Sequence, residues 1–514
     1  MIVLTHKQNR IVSAFDYTSN SAIKSTGLRL SEALFQLAEL YKNRLIVWCH
    51  DDLKEFIDEE GFKAIFHHKR IMASFEVRAA NYISNRIGYV ESSPFINIKR
   101  EVNYPTWLMS SCIGGIHAEA LLKFDTTSFK NKSLDYTLNS IAKQGIVKGL
   151  FCYSSPKLLK KNTVQLKPEK VSTYTLFKFI KQHYKTQWTF LTFLNSLVYE
   201  NKVHLLPLIA SWFVKSKTNV LDFSTIKIQS NKPSQLLQTI DVIIPTIGRE
   251  KYLYNVLQDL ASQTLLPKNV IIVEQNPNTG SVSELDYLKT QQWPFKINHI
   301  FIHQTGACNA RNLALQKVSS NWVFFADDDI RFDKNVLENA ISYMSYFGLK
   351  AATLSCLRKG EKETINHIMQ WHTFGSGCSI VYSNVVKNIA FDTAYEHGFG
   401  EDGDFGMQIR NLGEDIAYLP KCKLLHLKAP IGGFRTKVVQ SWEKEKIQPK
   451  PSPTIMLFYL KYQSKFQRNG YKTILFYKYF KLQTNKNIVA YFYQMKKRWN
   501  SSISWANKLK EQKN

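Results

Sequence analysis

From Asp241 onward the sequence predicts an α/β fold, a parallel sheet covered by helices, and three observations carry that expectation. Short apolar runs of strand length alternate with segments whose apolar residues recur at helical spacing. Turn-forming residues punctuate the alternation. The polar signatures PTIGR (245–249), VEQN (273–276) and DDD (327–329) fall at the ends of apolar runs, and ligands of open α/β sheets bind at the carboxyl ends of strands.

In order, TIDVIIPTIG is a buried strand ending in a Pro/Gly turn, REKYLYNVLQDLASQ a helix, and NVIIVEQN a second buried strand. After INHIFIH comes the helix CNARNLALQKVS, and then WVFFA, the strand that delivers Asp327, Asp328 and Asp329. Strand, helix, strand, helix in this order makes a parallel sheet. Upstream, residues 1–165 mix strand-like runs (NRLIVWC, 43–49) with helical ones (LSEALFQLAELY, 30–41). Residues 166–235 form a Lys- and aromatic-rich helical connector that closes in polar SNKPSQ. The α/β region then spans 236–435, and 436–514 is a basic, aromatic helical region.

A chain of 514 residues is too long for one ordinary core. With 44% apolar and 21% charged residues it has globular composition. The formal net charge of +27 implies a polyanionic partner: nucleic acid, anionic lipid or a phosphorylated substrate. Residues 436–514 hold 17 Lys and Arg against 3 Glu, a net +14, with aromatics interleaved. Helices of that kind suit an anionic membrane surface, and equally a basic cap packed on the α/β domain. Nucleic acid is the minor alternative, because no recognition motif accompanies the charge. Seven scattered cysteines without a CxxC pair point to reduced thiols and a cytoplasmic chain. The start, MIVLTHKQNR, lacks a signal-peptide pattern. The longest apolar runs, 186–199 and 203–214, fall short of the roughly 18–20 residues of a membrane span, so any membrane contact is peripheral, at the inner face.

A strand-end DxD suits a hard divalent cation, Mn²⁺ or Mg²⁺, whose shell is completed by substrate phosphates. Asp327 and Asp329, two apart, can both turn toward one bound nucleotide diphosphate while Asp328 points elsewhere. An acidic turn capping the next helix is the competing use. In HGFGEDGDFGMQIRNLG (397–413), Glu401, Asp402 and Asp404 open an amphipathic helix. Carboxylates there either complement the helix dipole or supply the base that a sugar transfer needs to deprotonate its acceptor hydroxyl. The glycines around them let a substrate approach the backbone. GGFR, with Arg435, has the make-up of a mobile loop that closes on phosphate. Trp371 and His372 either present an aromatic face to an acceptor sugar or pack.

The order PTIGR, VEQN, GACNARN (306–312), DDD, GSGCS (375–379), GEDGDF (400–405) and a late histidine, His426, resembles the family-2 glycosyltransferases of GT-A fold over about 240–435. The resemblance implies a Rossmann-like nucleotide-binding half, an acceptor-binding half, and transfer from a nucleoside-diphosphate sugar with inversion. It places Thr246 and Arg249 in the nucleotide pocket and Glu274 where the family usually has an aspartate reading the nucleobase. Arg311 would support the nucleotide or the aspartate loop, Asp327 approach the ribose, and Asp329 hold the metal, completed by His426. Asp402 is the implied catalytic base, with Glu401 its rival. The acceptor would be a glycan or lipid-linked hydroxyl in cell-surface polysaccharide synthesis.

A faint internal repeat sets NRLIVWCHDDL (43–53) over NWVFFADDDI (321–330), and SSCIGGIHAEALLKFDT (110–126) over GSGCSIVYSNVVKNIAFDT (375–393). SLDYTLNSIAKQG (133–145) lies over DGDFGMQIRNLG, and the Glu-Asp pair finds no counterpart. Residues 1–165 therefore read as a truncated or degenerate GT-A-like domain without catalysis of its own, with an unrelated α/β domain as the alternative. The alternatives to the transferase are a nucleotidyltransferase that makes the sugar nucleotide, and a non-catalytic GT-A scaffold that binds anionic lipid or nucleic acid.

Overall fold

The computed structural model describes residues 1–24, 29–161, 166–167, 171–217, 220–232, 238–430, 438–483 and 487–511. They form two compact units, Met1–Lys232 with Gln463–Leu482, and Pro233–Tyr462 with Gln483–Asn514. The connector helices belong with the first unit. The basic C-terminal region is shared: its Lys465–Lys481 helix folds with the first unit, and its Pro453–Tyr462 and Ile488–Glu511 helices fold with the second.

The first unit is built on strands β1 (Ile2–Lys7), β2 (Arg10–Asp16), β3 (Ser21–Ile23), β4 (Leu45–His50), β5 (Ile71–Phe75), β6 (Tyr104–Pro105), β7 (Ile113–His117) and β8 (Phe151–Ser154). Their order is β3-β2-β1-β4-β7-β5-β8-β6. The helix Leu30–Leu40 covers the sheet with Leu30, Leu34, Leu37 and Ala38, the one-face spacing of an amphipathic helix. Trp48 and Trp107 sit fully buried in the core beneath it.

The second unit's strands are β9 (Ile240–Thr246), β10 (Asn269–Gln275), β11 (Lys296–Ile302), β12 (Trp322–Ala326), β13 (Ile330–Phe332), β14 (Ala351–Arg358), β15 (Met369–Gln370), β16 (Cys378–Tyr382) and β17 (Ile416–His426). They follow the order β11-β10-β9-β12-β16-β14-β17-β13, with β15 on β17. β9 to β12 pair in parallel, and β10 is buried along its whole length, the pattern of a strand covered on both faces. The helix Glu250–Ala261 packs through Leu253, Val256, Leu257 and Leu260. The sheet is nevertheless mixed rather than purely parallel: β16 runs antiparallel to β12 and β14. A parallel return needs a crossover, usually helical, and the segment 359–377 between β14 and β16 contains no helix.

The two sheets share a pattern. β1 and β4 are parallel, β7 is antiparallel to both β4 and β5, and β8 is parallel to β5. β9, β12, β16, β14 and β17 repeat that order and those directions. The first sheet differs on the far side of β1, where β2 pairs antiparallel to it, whereas β10 is parallel to β9.

Candidate active site

Parallel pairing of β9 with β12 brings the PTIGR turn beside the aspartates. The middle carboxylate is the one it engages most closely, Arg249 Nη1 also lying 3.5 Å from Asp329 Oδ2. Thr246 Oγ1 donates to Asp328 Oδ2 at 2.7 Å, and Arg249 Nη1 donates to Asp328 Oδ1 at 2.6 Å. Asp328 is 3% exposed, and burial pushes its carboxyl up to about 6 against the pull of Arg249. Thr246 and Arg249, placed in the nucleotide pocket by the resemblance, thus brace the aspartate loop.

Asp329 points the other way. Its Oδ2 accepts from the Ala429 N–H at 2.8 Å, and His426 Nε2 lies 3.4 Å from its Oδ1. The Ile330–His426 pairing of β13 with β17 sets that meeting. Burial opposes ionisation of Asp329, yet the hydrogen bonds from His426 and Ala429 and the Arg249 charge hold its carboxyl below the usual range. The same contact raises His426. Asp327 turns to Arg311, whose Nη2 donates to its Oδ1 at 3.2 Å. Its side chain is 38% exposed against 3% for Asp328 and Asp329, so it is the aspartate that meets solvent. Asp329 and His426 therefore converge, while Asp327 stands apart with Arg311. Among the described residues no group of three His, Cys, Asp or Glu side chains is arranged to hold a metal ion.

The glycine loop before β16 passes directly over Asp327, whose N–H donates to Gly377 O at 3.1 Å. A Cβ on Gly377 would lie 2.1 Å from Asp327 Oδ2. Gly377→Ala is therefore expected to displace that carboxylate and weaken any turnover at this site by about 10²-fold, the scale of a 1 Å misplacement. Its thermal midpoint should stay close to wild type, because the displaced group is a half-exposed side-chain end; kinetics and a melting curve on one preparation check both.

The same loop reaches the acidic helix Glu401–Asn411, where the Ser376 N–H donates to Asp402 Oδ1 at 3.2 Å. Burial raises the Asp402 carboxyl, opposed first by the Arg311 charge. Burial and the Asp402 charge push Glu401 up to about 7. Asp404, in the same first turn, is wholly buried and takes Lys461 Nζ at 2.5 Å, Tyr462 OH at 2.9 Å and Gln408 Nε2 at 2.6 Å. It is a structural anchor for the Pro453–Tyr462 helix. Gly403 and Gly398 allow that helix in, since a Cβ on either would meet Phe458 or Thr454 within 3 Å.

Glu274, at the end of β10, is held within its own neighbourhood by Ser283 Oγ at 2.6 Å, the Glu284 N–H at 3.2 Å and His299 Nε2 at 2.8 Å. Trp371 stacks on Tyr418 with ring centroids 4.6 Å apart, which occupies one of its faces, and His372 beside it is exposed. Arg435 lies outside the described residues.

One residue that pattern reading passed over is Glu396. Its carboxylate accepts from the Cys308 and Asn309 N–H groups at 3.0 and 2.9 Å, closing the N-terminus of the Ala307–Leu315 helix that carries Arg311. The signal was Gly306. This N-cap residue has no side chain with which to satisfy the first amides, so a carboxylate from elsewhere must.

Residues 241–412 match the model of Glycosyl transferase family 2. This segment is a family-2 glycosyltransferase domain. The family-2 domain has the GT-A architecture, with the aspartate loop at the end of β12 and the acidic helix meeting across the glycine loop. Among curated relatives, the poly(ribitol-phosphate) β-N-acetylglucosaminyltransferase TarS of Staphylococcus aureus is 26% identical over 110 residues, 21% of this chain and 19% of TarS. The glycosyltransferase GlyA of Streptococcus pneumoniae is 25% identical over 209 residues, 35% of this chain and 29% of GlyA. The chain thus matches less than a third of either relative. A crystal structure of S. aureus TarS 1–349 in complex with UDP-GlcNAc aligns with a TM-score of 0.34 and 17% identity, covering 52% of this chain and 74% of that one. No helix among the described residues is long and apolar enough to cross a membrane.

Proposed function

We propose that the chain is a metal-dependent, inverting glycosyltransferase that moves a sugar from a nucleoside diphosphate to a hydroxyl of a glycan or lipid-linked acceptor in surface-polysaccharide synthesis. The observation that carries this reading is the meeting of Asp327, Gly377, Ser376 and Asp402. It sets a solvent-facing carboxylate of the aspartate loop against a base on a helix N-terminus through one glycine loop. Asp402 takes the acceptor hydroxyl's proton, the freed oxygen bonds to the anomeric carbon, and the bond to the diphosphate breaks on the opposite side. The Ser376 N–H holds Asp402 in place, and Arg311 supplies the positive charge that keeps an ionised form accessible. Asp329 and His426 fit a cation with substrate phosphates completing the shell, since such ions need only one or two protein carboxylates. When bound, a divalent cation supplies charge neutralisation for the departing diphosphate.

A thermal-shift screen tests the donor half of the reading. UDP-N-acetylglucosamine heads the panel because TarS is named for that sugar, followed by UDP, GDP, dTDP and CDP, each with Mn²⁺, Mg²⁺ or EDTA. One nucleotide should raise the melting temperature by mass action, only with metal, and the shift should vanish in Asp329→Ala. Folded protein that shifts with no nucleotide would instead favour the non-catalytic scaffold.

Residues 1–165 we read as a degenerate copy of the GT-A fold, supported by the shared strand order and by one repeated contact. Asp135 is the second residue of the helix Leu134–Gly145, as Asp402 is of its own helix. Its Oδ1 accepts from the N–H of Ser111, two residues before β7, at 2.8 Å, as Asp402 accepts from Ser376, two residues before β16. The base position thus has a counterpart, two residues away from where the sequence repeat laid it. Arg78, however, donates to both Asp135 oxygens, at 3.1 and 3.4 Å, which converts the carboxylate into a structural node.

A further inference from the structure

The helix Gln187–Glu200 of the first unit is inside out. Its polar residues Thr189, Thr192, Asn195 and Ser196 have no exposed surface, while Phe190, Leu194, Leu197 and Val198 are 48%, 44%, 40% and 57% exposed. An amphipathic helix on a water-facing surface does the reverse. Part of the buried stripe finds partners, while Asn195 Nδ2 and Ser196 Oγ have none among the described residues. Thr189 Oγ1 donates to Thr186 O at 2.8 Å and Thr192 Oγ1 to Trp188 O at 2.9 Å, while Asn195 Oδ1 accepts from Thr473 Oγ1 at 2.6 Å on the Lys465–Lys481 helix. Small hydroxyl residues turned inward and apolar ones outward are the arrangement of helices that pack in lipid.

The apolar surface continues onto the next helix, Leu205–Trp212. Leu206 is 68% exposed, Trp212 48% and Phe213 85%, and the Trp212 ring lies 5.7 Å from that of Phe190. Contiguous apolar patches on soluble surfaces mark binding faces. The charge around this one selects the partner. Residues 181–217 contain five lysines and a single carboxylate, Glu200, and both Glu200 oxygens are held by Arg86 at 2.6–2.9 Å. Lys185, Lys202 and Lys215 are exposed around the patch. The helices have 14 and 8 residues, too short to span a bilayer.

We infer that residues 187–213 seat the protein on an anionic bilayer, lying in the plane of the interface with Phe190, Leu206 and Phe213 in the acyl boundary and the lysines at the headgroups. This assigns the membrane contact to a face that the basic C-terminal region does not contain, and it is independent of the transferase reading.

The test sediments the full chain with vesicles of phosphatidylcholine containing phosphatidylglycerol, and with pure phosphatidylcholine, alongside a measurement of mass in solution. Wild type should bind the anionic vesicles and favour them over the neutral ones. Leu206→Glu/Phe213→Glu should bind at least about tenfold more weakly. Val489→Glu/Phe492→Glu, at exposed positions of the 488–511 helix, should bind as wild type. Phe213→Ser alone should give a smaller loss in the same direction, and it stands in should the double variant fail to fold. The inference is overturned by a wild type that ignores anionic vesicles, or by retention of full binding in the Leu206/Phe213 variants. It is also overturned by a wild-type dimer that those variants convert to a monomer, which would make a second copy the occupant.

Discussion

Replacing Asp402 with Asn is expected to lower kcat by about 10²–10⁴-fold, the range of a positioned general base, with little change in donor affinity or melting temperature. The amide keeps an oxygen for the Ser376 N–H but gives up both the negative charge that faces Arg311 and the proton affinity. The pH profile adds a readout that a merely structural role would not move. Burial raises Asp402, and burial with the Asp402 charge brings Glu401 up to about 7, so the two carboxyls titrate as one coupled pair. A raised acid is protonated below its pKa, and protonation removes the base. Activity should therefore fall as pH drops through the raised pKa of the Asp402 carboxyl and level off above it. Glu401→Gln deletes the neighbouring charge, so the acid limb should move to lower pH while substantial activity remains. A limb unmoved in Glu401→Gln, or an Asp402→Asn enzyme within a few-fold of wild type, would remove the pair from the chemistry.

The second large effect is on stability. Arg78→Ala in the first unit is expected to cost about 3–5 kcal/mol, the range for breaking a buried ion pair from one side, and to lower the melting temperature by roughly 10 °C. The guanidinium donates to Glu76 at 2.7 and 2.8 Å and to Asp135 at 3.1 and 3.4 Å, and all three side chains are 7% exposed or less. Its removal strands two buried carboxylates. Asp135→Asn should be milder, since the Ser111 contacts survive in part, and it should leave sugar transfer unchanged. A large loss of transfer in well-folded Asp135→Asn would mean that the first unit has a catalytic role, contrary to the degenerate-copy reading. Calorimetry and a transfer assay on the same variants separate the two.

Much of this was legible from residue order. Apolar runs of strand length fall on β9, β10 and β12, and the helical spacing of Leu253, Val256, Leu257 and Leu260 falls on one buried face. These elements are read locally because period and burial are properties of neighbouring residues. The motif order from PTIGR to GEDGDF identified the family, and the family model matches the same segment. The direction of β16 was not legible. It depends on a non-helical return whose geometry no local pattern encodes.

The division of labour within the clusters was also beyond the residue pattern. Three adjacent aspartates look alike in sequence, yet Asp328 is buried against Thr246 and Arg249, Asp329 meets His426, and Asp327 faces solvent beside Arg311. In the acidic helix, Asp404 goes to Lys461 and Tyr462, 57 and 58 residues away, while Asp402 goes to Ser376. The inside-out polarity of the 187–200 helix is of the same kind: its composition shows an apolar run but not which side the Lys465–Lys481 helix will cover. By itself the sequence determined the elements, the family and the sites where charge gathers, because those depend on spacing along the chain. Tertiary structure decided what each carboxylate does, because the role of an ionisable group depends on the partners and the water left around it once distant segments have packed.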